Sequence, residues 1–244
     1  MPSSPRLALI TGANKGLGLE TARQLGTQGI SVIIGARDAA RGVEAVRTLT
    51  KEGITAEALH LEVTDAASIR AAAAQVEQRH GRLDILVNNA GILDYAADSG
   101  VETTTVETFR RVFETNLFGL VAVTQAFLPL LKKSASGRIV NLTSILGSIA
   151  EHADPNSAIY AMRWPAYDAS KAAVNMYTVE LAHVLKATAI KVNAAHPGWV
   201  KTDMGGDQAP MQIVDGAKTA VALATIDDSG PTGGFYHLGV HMRW

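Results

Sequence analysis

Leu7-Ala8-Leu9-Ile10 is a short apolar run that passes directly into Thr11-Gly12-Ala13-Asn14-Lys15-Gly16-Leu17-Gly18, giving L-A-L-I-T-G-A-N-K-G-L-G. A run of this length bounded by glycine suits a strand buried on both faces. From Gly16 to Gln28 the pattern is helical. Strand, glycine loop and helix in that order open a βαβ unit. Each glycine has a separate use. Gly12 permits the sharp turn out of the strand, Gly16 lets backbone approach a pyrophosphate, and Gly18 lets the helix pack closely on the sheet. The free N–H groups at the start of the helix favour an anion there. The first two glycines stand four positions apart, so the loop is not G-x-G-x-x-G. It also lacks the terminal Gly-Lys-Ser/Thr of a phosphate loop.

The same alternation continues along the chain. Ser31 to Gly35, Ala56 to Val63, Leu83 to Val87, Arg138 to Leu142, Ala189 to Ala194 and Gly234 to Leu238 read as further strands. Helical patterns lie between them: Ala39 to Lys51, a segment capped by Thr64 or Asp65 and ended at His80 by Gly81, Glu107 to Glu114, Leu117 to Lys133, Tyr167 to Lys186 and Val214 to Ala224. Strands alternating with helices imply right-handed parallel crossovers. The expected fold is α/β, a Rossmann-type doubly wound and mostly parallel sheet of seven strands with helices on both faces. Ligands in such sheets bind beyond the carboxyl ends of the strands.

Composition narrows the class. The chain has 244 residues, 47% of them apolar and 18% charged, which suits a folded domain. Its 22 basic and 23 acidic residues give a net charge of -1, so no global field draws it to nucleic acid or an anionic membrane. With no cysteine, disulfides, Cys-ligated zinc and a thiol nucleophile are excluded. Leu117 to Leu131 is interrupted by Thr124, Gln125 and Pro129 and is too short to span a bilayer. Met1 to Ile10 does not read as a signal peptide. A cytoplasmic protein with no membrane or nucleic-acid partner is the expectation.

The loop after the second strand bears on which dinucleotide is held. Asp38 lies 20 residues past Gly18, the place of an acidic residue that bonds a ribose 2′-OH and favours NAD(H). It also reads as the N-cap of the next helix. Arg37 and Lys15 would both suit a 2′-phosphate. These cations make NADP(H) the expected cofactor.

Tyr167 and Lys171 are one helical turn apart and share a face. A Y-x-x-x-K spacing alone is weak. Here Ser144 follows the fifth strand, Asn116 stands at the start of a helix, and N-N-A-G, Asn88 to Gly91, follows the fourth strand. Together with T-G-x-x-x-G-x-G, Asn116 to Gly119 as N-x-x-G and Pro197-Gly198, these motifs occur in the order found in single-domain short-chain dehydrogenases/reductases. The chain resembles that family over essentially its whole length. T-G-A-N-K-G, G-A-R-D and P-G-W-V-K-T-D-M-G-G resemble its NADPH-dependent carbonyl-reductase branch.

The resemblance implies a single dinucleotide-binding and catalytic domain over 1–244, with substrate loops near 92–102, 145–166 and 199–212. It implies reduction of a ketone, aldehyde or quinone-like carbonyl. Tyr167 would be the general acid/base, with Lys171 lowering its pKa and holding the nicotinamide ribose. Ser144 would polarise the carbonyl, and Asn116 would hold a water linking Lys171 to solvent. Cofactor contacts would come from Gly12, Asn14, Lys15, Gly16, Leu17, Gly18 and Arg37, and from Glu62 and Val63 beside the adenine. Asn89, Ala90 and Gly91 would pass the adenosine ribose, and Pro197, Gly198, Val200 and Thr202 would close over the nicotinamide. Trp199, Met204, Trp164 and Tyr160 are candidates for an apolar substrate wall or for ordinary packing. The 22 residues between Ser144 and Tyr167 exceed the dozen or so of many members. They fall short of the carbonyl-reductase insertion that accompanies monomers. A homodimer or homotetramer through Leu117 to Leu131 and the Tyr167 helix is therefore open.

Three other readings are weaker. A Ser144 hydrolase would need His183 or His196 with Asp154 or Asp168, and no Gly-x-Ser-x-Gly is present. A metal pair from His237 and His241 would need a helix there, and no metal site is expected. His196 reads as a packed or backbone-bonded histidine. The functional alternative is a non-catalytic NADP(H)-binding redox sensor. An extended-type epimerase is disfavoured because little chain remains after Thr202 to build a substrate domain.

Overall fold

The computed structural model describes residues 5–244. The first four positions of the Met1 to Ile10 stretch and of the 1–244 domain lie outside the described residues. Eight strands form one sheet: β1 (Leu7–Thr11), β2 (Ser31–Ala36), β3 (Ala56–His60), β4 (Ile85–Asn88), β5 (Arg138–Leu142), β6 (Lys191–Ala195), β7 (Phe235–His237) and β8 (Val240–His241). Their order is β3-β2-β1-β4-β5-β6-β7-β8. Every pairing is parallel except the last, β7 with β8. The order reverses between β1 and β4, so a crevice opens where Gly12 and Asn89 leave the sheet.

The helices are α1 (Gly16–Thr27), α2 (Ala39–Lys51), α3 (Ala66–His80), α4 (Val106–Phe113), α5 (Leu120–Leu131), α6 (Ile149–Ala153), α7 (Pro165–Val184) and α8 (Ile213–Thr225). Two apolar cores lie on opposite faces of the sheet. Leu9, Ile33, Leu86 and Val192 pack with Ile69 of α3, Phe127 of α5 and Leu181 of α7. Ile10, Ile34, Val87 and Val140 pack with Leu25 of α1, Leu49 of α2 and Val221 of α8. Neighbouring residues of one strand serve opposite faces, and both faces are covered, which is why these strands read as unbroken apolar runs. The expected caps are present. Asp38 accepts from Arg41 N at the start of α2, Asp65 accepts from Ala67 N at the start of α3, and Gly81 ends α3 in the left-handed conformation at φ 69°.

Beside the unexpected short helix α6 and shifts of a few residues at element ends, such as β3 ending at His60 rather than Val63, the structure departs from the sequence reading in three larger ways. The sheet has eight strands rather than seven. Leu238 and Gly239 both take positive φ, 46° and 83°, and turn the chain back into β8. Two consecutive positive-φ residues make the tight hairpin turn that fits strand twist, usually signalled by Asn-Gly rather than Leu-Gly. The second departure is the pair of separate helices. Glu114–Gly119 is a π-helical turn that joins α4 to α5. Val106 to Leu131 is thus one 26-residue helix, long and apolar enough to cross a membrane by length and composition. In this fold Val112, Asn116, Val123, Phe127 and Leu130 are buried within the protein instead. Asn116 therefore stands inside a continuous helix rather than opening one. Third, His237 and His241 lie on β7 and β8, not on one helix, so the spacing that suggested a pair on one face does not apply.

Candidate active site

A cleft of about 930 Å³ lies along the carboxyl ends of the central strands. Gly12, Asn14, Lys15, Gly16, Leu17 and Gly18 line one end, and Arg37, Glu62, Val63, Asn89, Ala90 and Gly91 line its floor and side. Tyr167, Lys171, Pro197 and Thr202 line the other end. Gly12 and Gly16 hold φ of 63° and 58°, a conformation that suits glycine. A Cβ on Gly18 would lie 2.6 Å from Asn89 Nδ2 and 2.8 Å from the Gly12 carbonyl oxygen, so side-chain-free backbone is required there. No side chain caps α1 at Lys15. A glycine cradle before an uncapped helix start suits a pyrophosphate.

The groups near the second strand fit a phosphorylated ribose. The Asp38 carboxylate is spent within its own helix, accepting from Arg41 N at 3.1 Å and pairing with Arg41 Nε at 3.4 Å. Arg37 lines the cleft, is exposed, and has no partner among the described residues. Lys15 forms an ion pair with Asp203, which comes from the loop after β6 and also lines the cleft. Two cations are therefore presented at this end, and the one carboxylate that would select a 2′-OH is engaged elsewhere. Glu62 Oε1 accepts from both Thr64 N and Thr64 Oγ1, leaving Oε2 for a ligand.

Asn89 works on the chain as well as on the cleft. Its Nδ2 donates to the carbonyls of Thr11 and Gly12 at 2.7 and 3.3 Å, and its N–H goes to Thr11 Oγ1. It thereby ties the end of β4 to the glycine loop.

At the other end α7 presents Tyr167 and Lys171. Both are buried, at 7% and 5% exposure, yet both reach the cleft. Lys171 Nζ donates to the Leu142 carbonyl at 2.8 Å and lies 5.6 Å from the Tyr167 ring centre. Burial depresses the lysine to about 8. The same burial pushes the Tyr167 phenol well above its ordinary value, with Tyr95 and Asp168 adding to the rise and a hydrogen bond with Ser144 opposing it. The expectation that Lys171 lowers the phenol pKa is thus not met in the protein by itself. Desolvation of the phenolate outweighs a cation whose hydrogen bond goes to a carbonyl. The phenol stays protonated through neutrality, which is the state a proton donor needs.

Ser144 and Asn116 are buried next to the cleft-lining residues Thr143 and Thr115. Ser144 is 8% exposed, and its hydroxyl accepts from Leu146 N at 3.2 Å as it caps the short turn Ile145–Gly147. Asn116 is fully buried. Its Oδ1 accepts from Ile92 N at 2.8 Å, and its Nδ2 donates to the Ile92 carbonyl and to Ser170 Oγ, both at 3.0 Å. Both amide hydrogens are spent on the chain, so the side chain acts as a pin between the loop after β4 and α7.

Gly198 and Val200 lie off the cleft. Gly198, at φ 91°, donates to His196 Nδ1, and a Cβ there would meet Met211 Sδ at 2.8 Å. Val200 is buried and bridges to Met211. These two shape the loop from behind. Of the four proposed wall residues, Met204 alone lines the cleft. Trp199 is half-exposed, Trp164 packs edge-on against Tyr95 at 5.5 Å, and Tyr160 lies under the Arg163 guanidinium. His196 is backbone-bonded, as expected: its Nδ1 accepts from Ile145 N and Gly198 N, and burial depresses it to about 3.

Sequence reasoning did not identify the Leu142 carbonyl that receives Lys171, the Thr143 hydroxyl that bonds Asn175 at 2.6 Å behind it, or the Asp203 partner of Lys15. A backbone acceptor leaves no residue signature. Asp203 sits inside the quoted P-G-W-V-K-T-D-M motif and could have been paired with Lys15 on charge.

Comparison with known proteins matches this arrangement. Residues 6–213 fit the family model described as short chain dehydrogenase. The chain is 37% identical to short-chain dehydrogenase/reductase 1 of Saponaria officinalis, over 95% of this chain and 93% of that protein. The structure is similar to that of an NADPH-bound carbonyl reductase from chicken fatty liver, with a TM-score of 0.86, 32% identity, and coverage of 98% and 99% of the two chains. It is also similar to an actinorhodin polyketide ketoreductase variant with NADPH, at a TM-score of 0.82, 29% identity and coverage of 96% and 95%.

Proposed function

The chain belongs to the short chain dehydrogenase family and is an oxidoreductase, and on that premise we propose that it reduces a ketone, aldehyde or quinone-like carbonyl to an alcohol with NADP(H) as cofactor. The observation that carries this reading is the shared cleft: buried Tyr167 and Lys171 stand at one end of the groove whose other end holds the glycine loop, Lys15 and Arg37. The two solved relatives with NADPH support the choice of phosphorylated cofactor, as does the engagement of Asp38 with Arg41.

When bound, NADPH supplies the hydride. The chain supplies the rest. The glycine loop would take the pyrophosphate against the start of α1, and Lys15 and Arg37 would take the 2′-phosphate. Glu62 and Val63 would border the adenine, and Pro197 and Thr202 the nicotinamide. Tyr167 gives its phenolic proton to the substrate oxygen as the carbonyl becomes an alkoxide. Ser144, whose hydroxyl oxygen already accepts from Leu146 N, keeps its O–H free to donate to the same oxygen and polarise it. Lys171 stabilises the phenolate that remains, until the proton is replaced from solvent. Asn116 holds Ile92 and α7 in register. The reverse oxidation uses the same groups.

The test is oxidation of NADPH and NADH, side by side, against quinones, diketones and aromatic aldehydes, with Tyr167→Phe as control. Turnover with NADPH that disappears in the variant supports the reading. Preference for NADH would overturn the assignment of Lys15 and Arg37. Tight NADPH binding without turnover on any carbonyl would favour a redox sensor.

A further inference from the structure

Helix α7 cannot cap itself. It starts after Trp164, whose side chain makes no cap hydrogen bond, and Pro165 at its first position has no N–H. The first two free donors of the helix are the N–H groups of Ala166 and Tyr167. Both go to one carboxylate from far upstream. Asp98 Oδ1 accepts from Ala166 N at 3.0 Å, and Oδ2 accepts from Tyr167 N at 2.8 Å. Thr104 Oγ1 adds a third hydrogen bond to Oδ1 at 3.2 Å. Asp98 is completely buried. A buried carboxylate is tolerated when hydrogen bonds and a helix start replace its hydration, and here both do.

Asp98 is also fixed from its own side. Its N–H donates to the Asp94 carbonyl at 2.8 Å, and the Asp94 side chain accepts from Ala96 N and Ala97 N and pairs with Arg111 of α4 at 2.6 Å. In the same loop, Tyr95 packs edge-on against Trp164 and donates its hydroxyl to the Met204 carbonyl at 2.9 Å. The 92–102 loop therefore grips both the residue before α7 and the loop that closes the cleft.

We propose that Asp98 is a positioning residue for Tyr167: its carboxylate serves as the cap that α7 lacks, and it makes the placement of the proton-donating phenol depend on the 92–102 loop. This rests on the reading of Tyr167 as general acid. Asp98 touches neither substrate nor cofactor and acts only through the backbone of the residue that does. Asp168 cannot replace it, because that carboxylate bonds Trp164 N, one turn back.

The experiment compares Asp98→Asn, Asp98→Glu and Asp84→Asn with the unaltered protein. Asn at position 98 keeps an oxygen for Ala166 and Thr104 but turns an amide N–H toward Tyr167 N–H, removing the one bond to Tyr167. Glu keeps the charge and moves it by a methylene. Asp84 is a control at the opposite end of the sheet, a buried carboxylate accepting from Leu7 N, Ser134 Oγ and the Arg82 guanidinium. Both Asp98 variants are expected to lower kcat for carbonyl reduction by about 10- to 100-fold, the scale of an ångström-level misplacement. The Kd for NADPH should stay within about twofold. Asp84→Asn should lose comparable thermal stability with kcat retained. Full kcat in either Asp98 variant would overturn the proposal, as would a kcat loss in Asp84→Asn that matches its loss of stability. If Asp98→Asn fails to fold, Asp98→Glu decides alone. Tyr167→Phe run alongside separates the two ideas, since activity retained there would refute the general acid itself.

Discussion

Lys171 Nζ reaches the carbonyl oxygen of Leu142 at 2.8 Å and stops 5.6 Å from the centre of the Tyr167 ring. The cation is thus anchored to the end of β5 and held beside the phenol. Burial raises the phenol and depresses the ammonium to about 8. Carbonyl reduction needs the phenol protonated and the lysine charged, so its rate should be level through neutral pH and fall as pH rises through about 8. Tyr167→Phe should reduce kcat by about 10²- to 10⁴-fold, the usual worth of a positioned proton donor. Lys171→Met should abolish the decline near pH 8 along with most of the rate. A pH–rate profile of each variant checks both.

The unpartnered Arg37 and the paired Lys15 should contribute unequally to cofactor choice. Lys15 must leave Asp203 to meet a phosphate, whereas Arg37 leaves no partner. Arg37→Ser should raise the KM for NADPH by about 10- to 100-fold, equivalent to a hydrogen bond to a charged group at about 1.5–3 kcal/mol, and leave that for NADH unchanged. Asp203→Asn frees Lys15 and should lower the KM for NADPH modestly. Asp38→Ala should cost about 1 kcal/mol of stability by uncapping α2, with no loss of NADH binding. Steady-state kinetics with both cofactors and thermal melts distinguish these effects.

Much of this architecture is local information. β1, β2 and β4 are buried on both faces, so each carries three or four consecutive apolar residues. Asp38, Asp65 and Gly81 bond within a turn of their own positions. What escaped the sequence is what depends on distant partners. Asp98 lies in Ala-Ala-Asp-Ser-Gly, which looks like a solvated loop until α7 folds over it. The π-helical turn at Glu114–Gly119 brings Gly119 so close to Val63 that a Cβ would lie 2.7 Å from the Val63 carbonyl oxygen, and no periodicity reveals that contact. Gly198 and Val200 belong to a motif that borders the cleft, but they pack on Met211 behind it. Tyr167 lines the cleft, and its phenol is raised rather than lowered, because burial cannot be counted before the core is assembled.

Gly147 tests how tightly the Ser144 turn sits on α7. A Cβ there would lie 2.6 Å from the backbone carbonyl carbon of Lys171 and 2.8 Å from its Cβ. Neither neighbour can swing aside. Gly147→Ala should therefore separate the Ile145–Gly147 turn from the helix, moving Ser144 away from Tyr167. The expected result is a loss of about 1–3 kcal/mol in stability, as for other overpacked cores. The fall in kcat should exceed any change in NADPH affinity. Denaturant melts and single-turnover reduction measure the two parts separately.

Asp168 should give this protein an unusual pH dependence. Its Oδ2 accepts from Trp164 N at 3.0 Å and lies 3.5 Å from His152 Nε2, while its Oδ1 is buried without a hydrogen-bond partner. Arg163 donates to His152 Nδ1, and His152 Nε2 bonds the Leu146 carbonyl, so the histidine holds its hydrogen there and stays neutral. Burial, reinforced by Asp98, raises the Asp168 carboxyl from 3.8 to about 7. Between those values the folded protein holds a proton that the unfolded chain has released. Stability contributed by this group therefore falls as pH rises from about 4 to about 7, opposite to an ordinary ion-paired aspartate. His196, depressed to about 3, acts the other way, losing stability as pH falls below 6.5. Only a difference between proteins isolates Asp168. The stability of Asp168→Asn relative to the unaltered protein should climb with pH across that window and level off above about 7. Because the Asp168 charge also raises the phenol of Tyr167, the variant should begin alcohol oxidation at lower pH. Urea unfolding from pH 4.5 to 8 checks the first effect; a flat difference would show that Asp168 ionises normally in the fold.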